Sequence, residues 1–419
     1  MSDLVDAVAA SLADPARVTD LAQDTYLELP GGRMPVWDPV ALSDGLPGVT
    51  LLFAELAAAD GSLRAVAHAH LGAALNAPAP PAGQGLYRGP AALAFATHCA
   101  ATFGGYGTLL DQLDAAVARS ATARAQSDRE RIAAGEAIGW WGGYDVITGA
   151  AGLGRYLLAR LSRTGRLSRS ASADVHAALV AVLETLVAIA DAGRPAWWAR
   201  HGGSATGAGG IDLGLAHGVA GPLALLALAQ RAGVAVAGQH EAAAQIVDVL
   251  EEHRILDAAG PFWPSSDGGE RTRFRDVWCY GAAGVGRALH LAGDTFGEPH
   301  WTELARSALA GALSTAGSAS ITDFSLCHGW AGLLQICTRM AHDTGEPPYA
   351  ESASTIADRI AAAFSPEAPF GYRYTYPQHP LPLDRPGFLE GAAGIALALH
   401  SHNTGRPPTT GWDAALLLA

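Results

Sequence analysis

Ser325-Leu326-Cys327-His328-Gly329-Trp330-Ala331-Gly332 sets a thiol and an imidazole side by side, immediately before a Gly-x-x-Gly step that opens an apolar run. The step, or a near copy of it, occurs seven times, with first glycines at Gly45, Gly89, Gly149, Gly218, Gly281, Gly329 and Gly391, roughly 44 to 69 residues apart. That spacing is at or somewhat above the periods of helical repeat arrays. After each step comes a segment such as Leu51-Leu52-Phe53-Ala54-Glu55-Leu56 or Ile395-Ala396-Leu397-Ala398-Leu399. These runs are apolar nearly all round, which predicts buried helices. Before each step lies a more amphipathic candidate, at about 2–14, 62–76, 109–125, 172–192, 239–256, 300–316 and 349–364. Residues 241–252 carry the apolar stripe at helical spacing that such a helix needs.

Strand signals are sparse, so the fold class is all-α. Seven pairs of one amphipathic and one fully apolar helix predict an α/α toroid, a double ring, because only closure buries the apolar set completely. The glycines suit tight turns and close helix approach, and in the second repeat Ala92 replaces the second glycine. A single toroid domain over residues 1–419 is expected. The weak periodicity from Cys99 to Gly139 leaves a small extension there undecided.

Hydrophobic residues make up 49% of the 419, enough for a large core, while charged residues are only 16%. A net charge of −13 argues against a nucleic-acid partner, which needs clustered Lys and Arg. The four cysteines, Cys99, Cys279, Cys327 and Cys337, are scattered, with no CxxC and no leading signal sequence. They point to a reducing cytoplasm and to metal or packing roles. The longest apolar run, about Val219 to Ala229, is half a bilayer span, so no membrane crossing is expected. Pro- and aromatic-rich stretches at 195–201, 261–275 and 370–377 are candidate functional loops. Trp197, Trp263 and Tyr374 either line a groove for an extended peptide or pack over helix ends.

Aligned on the first glycine, His217, His328 and Glu390 fall one residue before it, and Cys279 and Cys327 two before. Unlike residues converging on one offset favour a metal over packing. Cys279, Cys327 and His328 offer three ligands with a fourth position open, the pattern of catalytic zinc. Cys99 and Cys337 read as small buried hydrophobes.

The segments Trp278-Cys279-Tyr280-Gly281, Cys327-His328-Gly329 with Gly332, Ala216-His217-Gly218 with Gly221, Tyr144-Asp145 with Gly149 and Gly152, and Gly85-Leu86-Tyr87 with Gly89 resemble the lanthionine synthetase C-like family over essentially the whole chain. The resemblance implies a toroid of seven helix pairs and zinc at Cys279, Cys327 and His328. It also implies active-site roles for Asp145, His217 and Arg275, which stands four residues before Cys279. The implied reaction adds a peptide cysteine thiol to dehydroalanine or dehydrobutyrine in the same precursor, closing a thioether ring. His217 and Arg275 would serve the enolate and its proton, and Asp145 would orient His217, although an Asp before a helix is more often a cap. The implied partners are the dehydrated precursor, a separate dehydratase and an exporter.

Three rivals are weighed. The same chemistry can act between molecules, adding a glutathione-type thiol to dehydroamino acids. The chain can be a noncatalytic zinc-containing peptide scaffold. A glycosidase on a helical toroid needs two carboxylates across a cleft, and the offset supplies only Glu390.

Overall fold

The computed structural model describes residues 2–29, 32–78, 85–136, 141–162, 169–200, 209–375 and 382–419. Each Gly-x-x-Gly step opens a helix, and the reason is backbone crowding. A Cβ on Gly152 would meet the Val146 carbonyl, one on Gly284 the Trp278 carbonyl, and one on Gly394 the Phe388 carbonyl. In every case this is the carbonyl three residues before the first glycine, so the loop lies directly on the first helical turn. Carbonyls earlier in the loop satisfy N–H groups that a helix start leaves without partners. In the sixth repeat Trp330, Ala331 and Gly332 donate to the carbonyls of Asp323, Phe324 and Ser325, at 3.1, 3.3 and 3.3 Å. In the seventh, Ala392, Ala393 and Gly394 donate to Arg385, Pro386 and Gly387, at 2.9, 3.1 and 3.3 Å. Gly281 has φ of 82°, a region that favours glycine, and packs on the Arg275 carbonyl.

The described chain forms two compact units. In one, comprising Met1–Gly83, Tyr87–Tyr106 and Ile321–Trp412, the helices Trp330–Thr344, Ala392–Thr404, Leu46–Leu56 and Pro90–Ala100 pack side by side in that order. Pro347–Ala362, Ser2–Leu12 and Leu63–Asn76 back onto the first three of these. In the other, comprising Gln84–Leu86, Gly107–Ser320 and Asp413–Ala419, Ala150–Ser162, Ala220–Arg231 and Ala282–Phe296 pack in that order. Arg169–Ala192, Gln239–Glu252 and Pro299–Leu313 back onto them. The two helix types differ as expected. Leu46–Leu56 is buried along its entire length, whereas Gln239–Glu252 buries only the stripe Gln239, Ala242, Ala243, Ile246, Val247 and Leu250.

The segment of weak periodicity holds a 27-residue helix, Gly107–Ala133, longer than the expected 109–125. It packs on Arg169–Ala192 and Ala150–Ser162. Its buried face includes Asp114 and Asp128 among alanines, which hides it from a hydrophobic pattern. Asp114 accepts from Arg160 Nε and Nη2 at 2.9 and 2.7 Å and from the Tyr156 hydroxyl at 2.5 Å. Such a buried pair needs all its partners, because losing one leaves an uncompensated charge. Gly139 lies outside the described residues.

Among the described residues, the three rings expected to face a groove do not do so. Trp197, Trp263 and Tyr374 are all buried. Trp197 packs edge-on against Tyr144, with centroids 5.0 Å apart, and Trp263 Nε1 donates to the Leu250 carbonyl at 2.6 Å. The expectation of a peptide grip by these rings is corrected to packing over helix ends, because each ring has a large apolar face to bury and an indole N–H needs a partner. Short antiparallel pairs, Trp198–Arg200 with Gly209–Ile211 and Ile255–Asp257 with Gly260–Phe262, brace two of the stretches. His201, Tyr376 and Pro377 lie outside the described residues. Among the described residues one helix, Ala171–Ala192, is long and apolar enough to cross a membrane, and 56% of its apolar window is buried.

Candidate active site

The residues two and three before the first glycines are tied to one another by backbone hydrogen bonds within each unit. In one unit Val146 N–H donates to the Ala216 carbonyl at 3.0 Å, and Leu215 and Ala216 N–H donate to the Cys279 carbonyl at 2.9 and 3.3 Å. In the other, Cys327 N–H donates to Leu389 O at 2.8 Å, Phe388 and Leu389 N–H both donate to Ser43 O at 2.8 Å, and Leu42 N–H donates to Tyr87 O at 2.9 Å. The loops that carry the shared offset are therefore fixed in register.

On the first of these tracks, His217 Nδ1 lies 2.6 Å from Asp145 Oδ2. Asp145 is fully buried, and its other oxygen accepts from Thr148 N–H at 2.8 Å and Thr148 Oγ1 at 3.2 Å. One Asp145 oxygen thus caps the loop and the other partners the imidazole. Because Asp145 acts as acceptor, His217 carries its proton on Nδ1 and presents Nε2 on the opposite edge. Arg124, from the helix Gly107–Ala133, braces this loop from behind, donating to the carbonyls of Thr148 and Gly142 at 2.8 and 2.6 Å.

Burial alone would lower the His217 pKa, but the Asp145 hydrogen bond and the charges of Asp145, Asp212 and Cys279 outweigh it and the net shift is upward. Asp212 went unnoticed in the sequence. It is buried, accepts from Gly214 N–H at 2.9 Å and from the Tyr280 hydroxyl at 3.0 Å, and burial raises its pKa to about 6. Its signal was present, since Asp212 stands six residues before Gly218 as Asp323 stands six before Gly329.

Asp212 gives a stability prediction. Its folded pKa is raised above the unfolded one, so the stabilisation it contributes is full below about pH 4 and is lost as pH rises through about 6. Above that the buried carboxylate costs up to about 3 kcal/mol. Asp212→Asn should therefore gain stability relative to the unsubstituted chain between pH 5 and pH 8, measured by denaturant unfolding at both. An equal difference at the two pH values would contradict the assignment.

Arg275 is not brought onto this pair by any hydrogen bond among the described residues. Its guanidinium lies 4.7 Å from the centroid of the exposed Phe274 ring. The neighbouring Arg273 is the anchored one, donating to both Asp257 oxygens at 2.9 and 3.0 Å, to Gly260 O at 2.8 Å and to Asp276.

On the second track Cys327 is buried and His328 half-buried. His328 N–H donates to Ser325 Oγ at 3.2 Å, and its Nε2 lies 3.1 Å from Glu390 Oε1. Glu390 pairs in turn with Arg385, which also holds Asp44. Burial would raise the Glu390 pKa, but Arg385 and His328 hold it down at about 2. Neither Cys279 nor Cys327 is part of a disulfide.

The lanthionine synthetase C-like protein family matches residues 36–417. The nisin biosynthesis protein NisC of Lactococcus lactis subsp. lactis is 25% identical over 225 residues, covering 50% of this chain and 49% of that protein. The chain thus spans about half the length of this curated relative. The solved structure of nisin cyclase covers 100% of this chain and 98% of its own, with a TM-score of 0.76 at 20% identity. That likeness shows the fold and bears out the expected all-α toroid. With the family match reaching over nearly all of the sequence, the chain belongs to the lanthionine synthetase C-like family.

Proposed function

We propose that this chain is a zinc-dependent lanthipeptide cyclase that closes (methyl)lanthionine thioether rings in a dehydrated precursor peptide. The observation that carries the reading is the His217–Asp145 pair on a loop whose neighbouring residues, Leu215 and Ala216, are hydrogen-bonded to the carbonyl of Cys279. A proton-transfer group is thereby fixed against the backbone of a thiol with the right chemistry to hold a soft metal.

Cys279, Cys327 and His328 are assigned as the zinc ligands. Two thiols and an imidazole fit the metal's preference, and three protein ligands keep a position for substrate. Zinc, when bound there, would hold a peptide thiol as the nucleophilic thiolate. The remaining chemistry belongs to the chain's own side chains. Attack of sulfur on the β-carbon pushes the double-bond electron pair toward the adjacent carbonyl, giving an enolate. His217, protonated, returns a proton to the α-carbon through Nε2, while Asp145 fixes its tautomer and stabilises its charge. Arg275, by family likeness, swings from Phe274 to balance the enolate. The thiol proton lost equals the α-proton gained, so the product is an isomer of the substrate.

A separate dehydratase supplies the substrate, an exporter receives the product, and the chain works in the cytoplasm as one domain. The test is thiol titration of a dehydrated, cysteine-containing peptide incubated with the chain. Thiols should disappear, and a chelator should stop the loss. Thiol loss at an unchanged rate after zinc removal would contradict the reading.

A further inference from the structure

Behind His328 stands a series of side chains that the reaction outlined above does not use. Glu390 occupies in the seventh repeat the place that His328 occupies in the sixth, directly before the first glycine. The hydrogen bond from Cys327 N–H to Leu389 O joins the two loops at 2.8 Å, which brings His328 Nε2 to 3.1 Å from Glu390 Oε1. The second Glu390 oxygen pairs with Arg385 Nη1, and Arg385 Nη2 pairs with Asp44 in the loop of the first repeat. Arg385 is only 5% exposed and lies 5.1 Å from the centroid of the Tyr374 ring, so the guanidinium is enclosed. Three loops thus contribute to one arrangement that ends on an imidazole.

Resting on the zinc assignment above, we infer that Glu390 is a positioning residue for the metal, held in place by Arg385 and Asp44, and that His328 ligates through Nδ1. A neutral imidazole has one proton. With that proton on Nε2 and donated to Glu390, the lone pair is on Nδ1, and the carboxylate selects both the tautomer and the ring orientation. Arg385 holds Glu390 by one nitrogen and is itself held by Asp44 through the other, so neither long side chain needs to be ordered when metal binds. Asp44 acts two contacts away from the imidazole, and its effect should be smaller than that of Glu390.

The test is zinc affinity of the full chain, measured by competition with a chromogenic chelator. Glu390→Gln keeps the side chain's size and one acceptor but loses the charge. It should bind zinc about 10- to 100-fold more weakly with an unchanged far-UV circular dichroism spectrum. Asp44→Asn should weaken zinc in the same direction by a few-fold. Zinc affinity of Glu390→Gln within about twofold of the unsubstituted chain would overturn the inference. Should Glu390→Gln fail to fold, Asp44→Asn decides: weaker zinc supports the inference, and unchanged zinc overturns it. Failure of the zinc assignment itself looks different, because the unsubstituted chain would then hold no zinc or Cys327→Ala would hold as much.

Discussion

Cys327→Ala should take the zinc content from one per chain to none and abolish ring closure, while the helical circular dichroism signal stays. In the proposed site Cys327 would supply one of two thiolates. A site left with one thiolate and one imidazole lacks both the charge and the donor count that zinc needs. The fold should not follow the metal out. The helices of each unit are buried by their own packing, with Leu46–Leu56 and the stretch Ala282–Gly293 buried throughout, and their N-termini are closed by loop carbonyls rather than by an ion. Metal analysis together with thermal unfolding of the variant checks both halves. Full zinc in Cys327→Ala would remove the ligand assignment, and cooperative unfolding on metal loss would favour a structural metal in a scaffold.

His217→Asn should keep its zinc and slow ring closure by roughly a hundredfold to ten-thousandfold, the range for loss of a general acid or base. His217 shares the offset of His328, which invites the reading that it is a fourth ligand. The two imidazoles are bound differently. His328 has Nε2 on Glu390, which Arg385 holds, whereas His217 has Nδ1 on Asp145, which accepts from Thr148 N–H. Charge from Asp145 and Asp212 raises the His217 pKa, which favours a proton donor and disfavours the neutral imidazole a metal requires. Zinc content and single-turnover rate, measured on the same preparation, separate the outcomes. Loss of zinc would mean a closed site, and retention of both zinc and rate would place the proton source elsewhere.

The repeat was legible because its glycines answer to backbone alone. The carbonyls of Val146, Trp278 and Phe388 leave no room for a Cβ, so those three repeats require glycine there, whereas the second repeat carries Ala92. The shared offset of His217, His328 and Glu390 was legible for the same reason. What each of these residues touches was less so. Asp145 lies 72 residues from His217 and Arg385 lies 341 from Asp44, and no local pattern couples such positions. Asp212 and Glu390 therefore went without partners until the structure supplied Tyr280 and His328. The aromatic stretches misled because Trp and Tyr near proline suit an open groove and a covered helix end equally well, and burial decided for the latter. The helix Gly107–Ala133 was blurred because its buried face includes two aspartates.

Intramolecular thioether closure is the central proposal, and mass spectrometry of the dehydrated peptide in the presence of excess glutathione tests it most directly. After incubation with the chain, the peptide should keep its mass, lose its reactive thiols and resist alkylation. A peptide heavier by glutathione, with its own cysteines still open to alkylation, would contradict ring closure and make the chain an intermolecular thiol-addition enzyme.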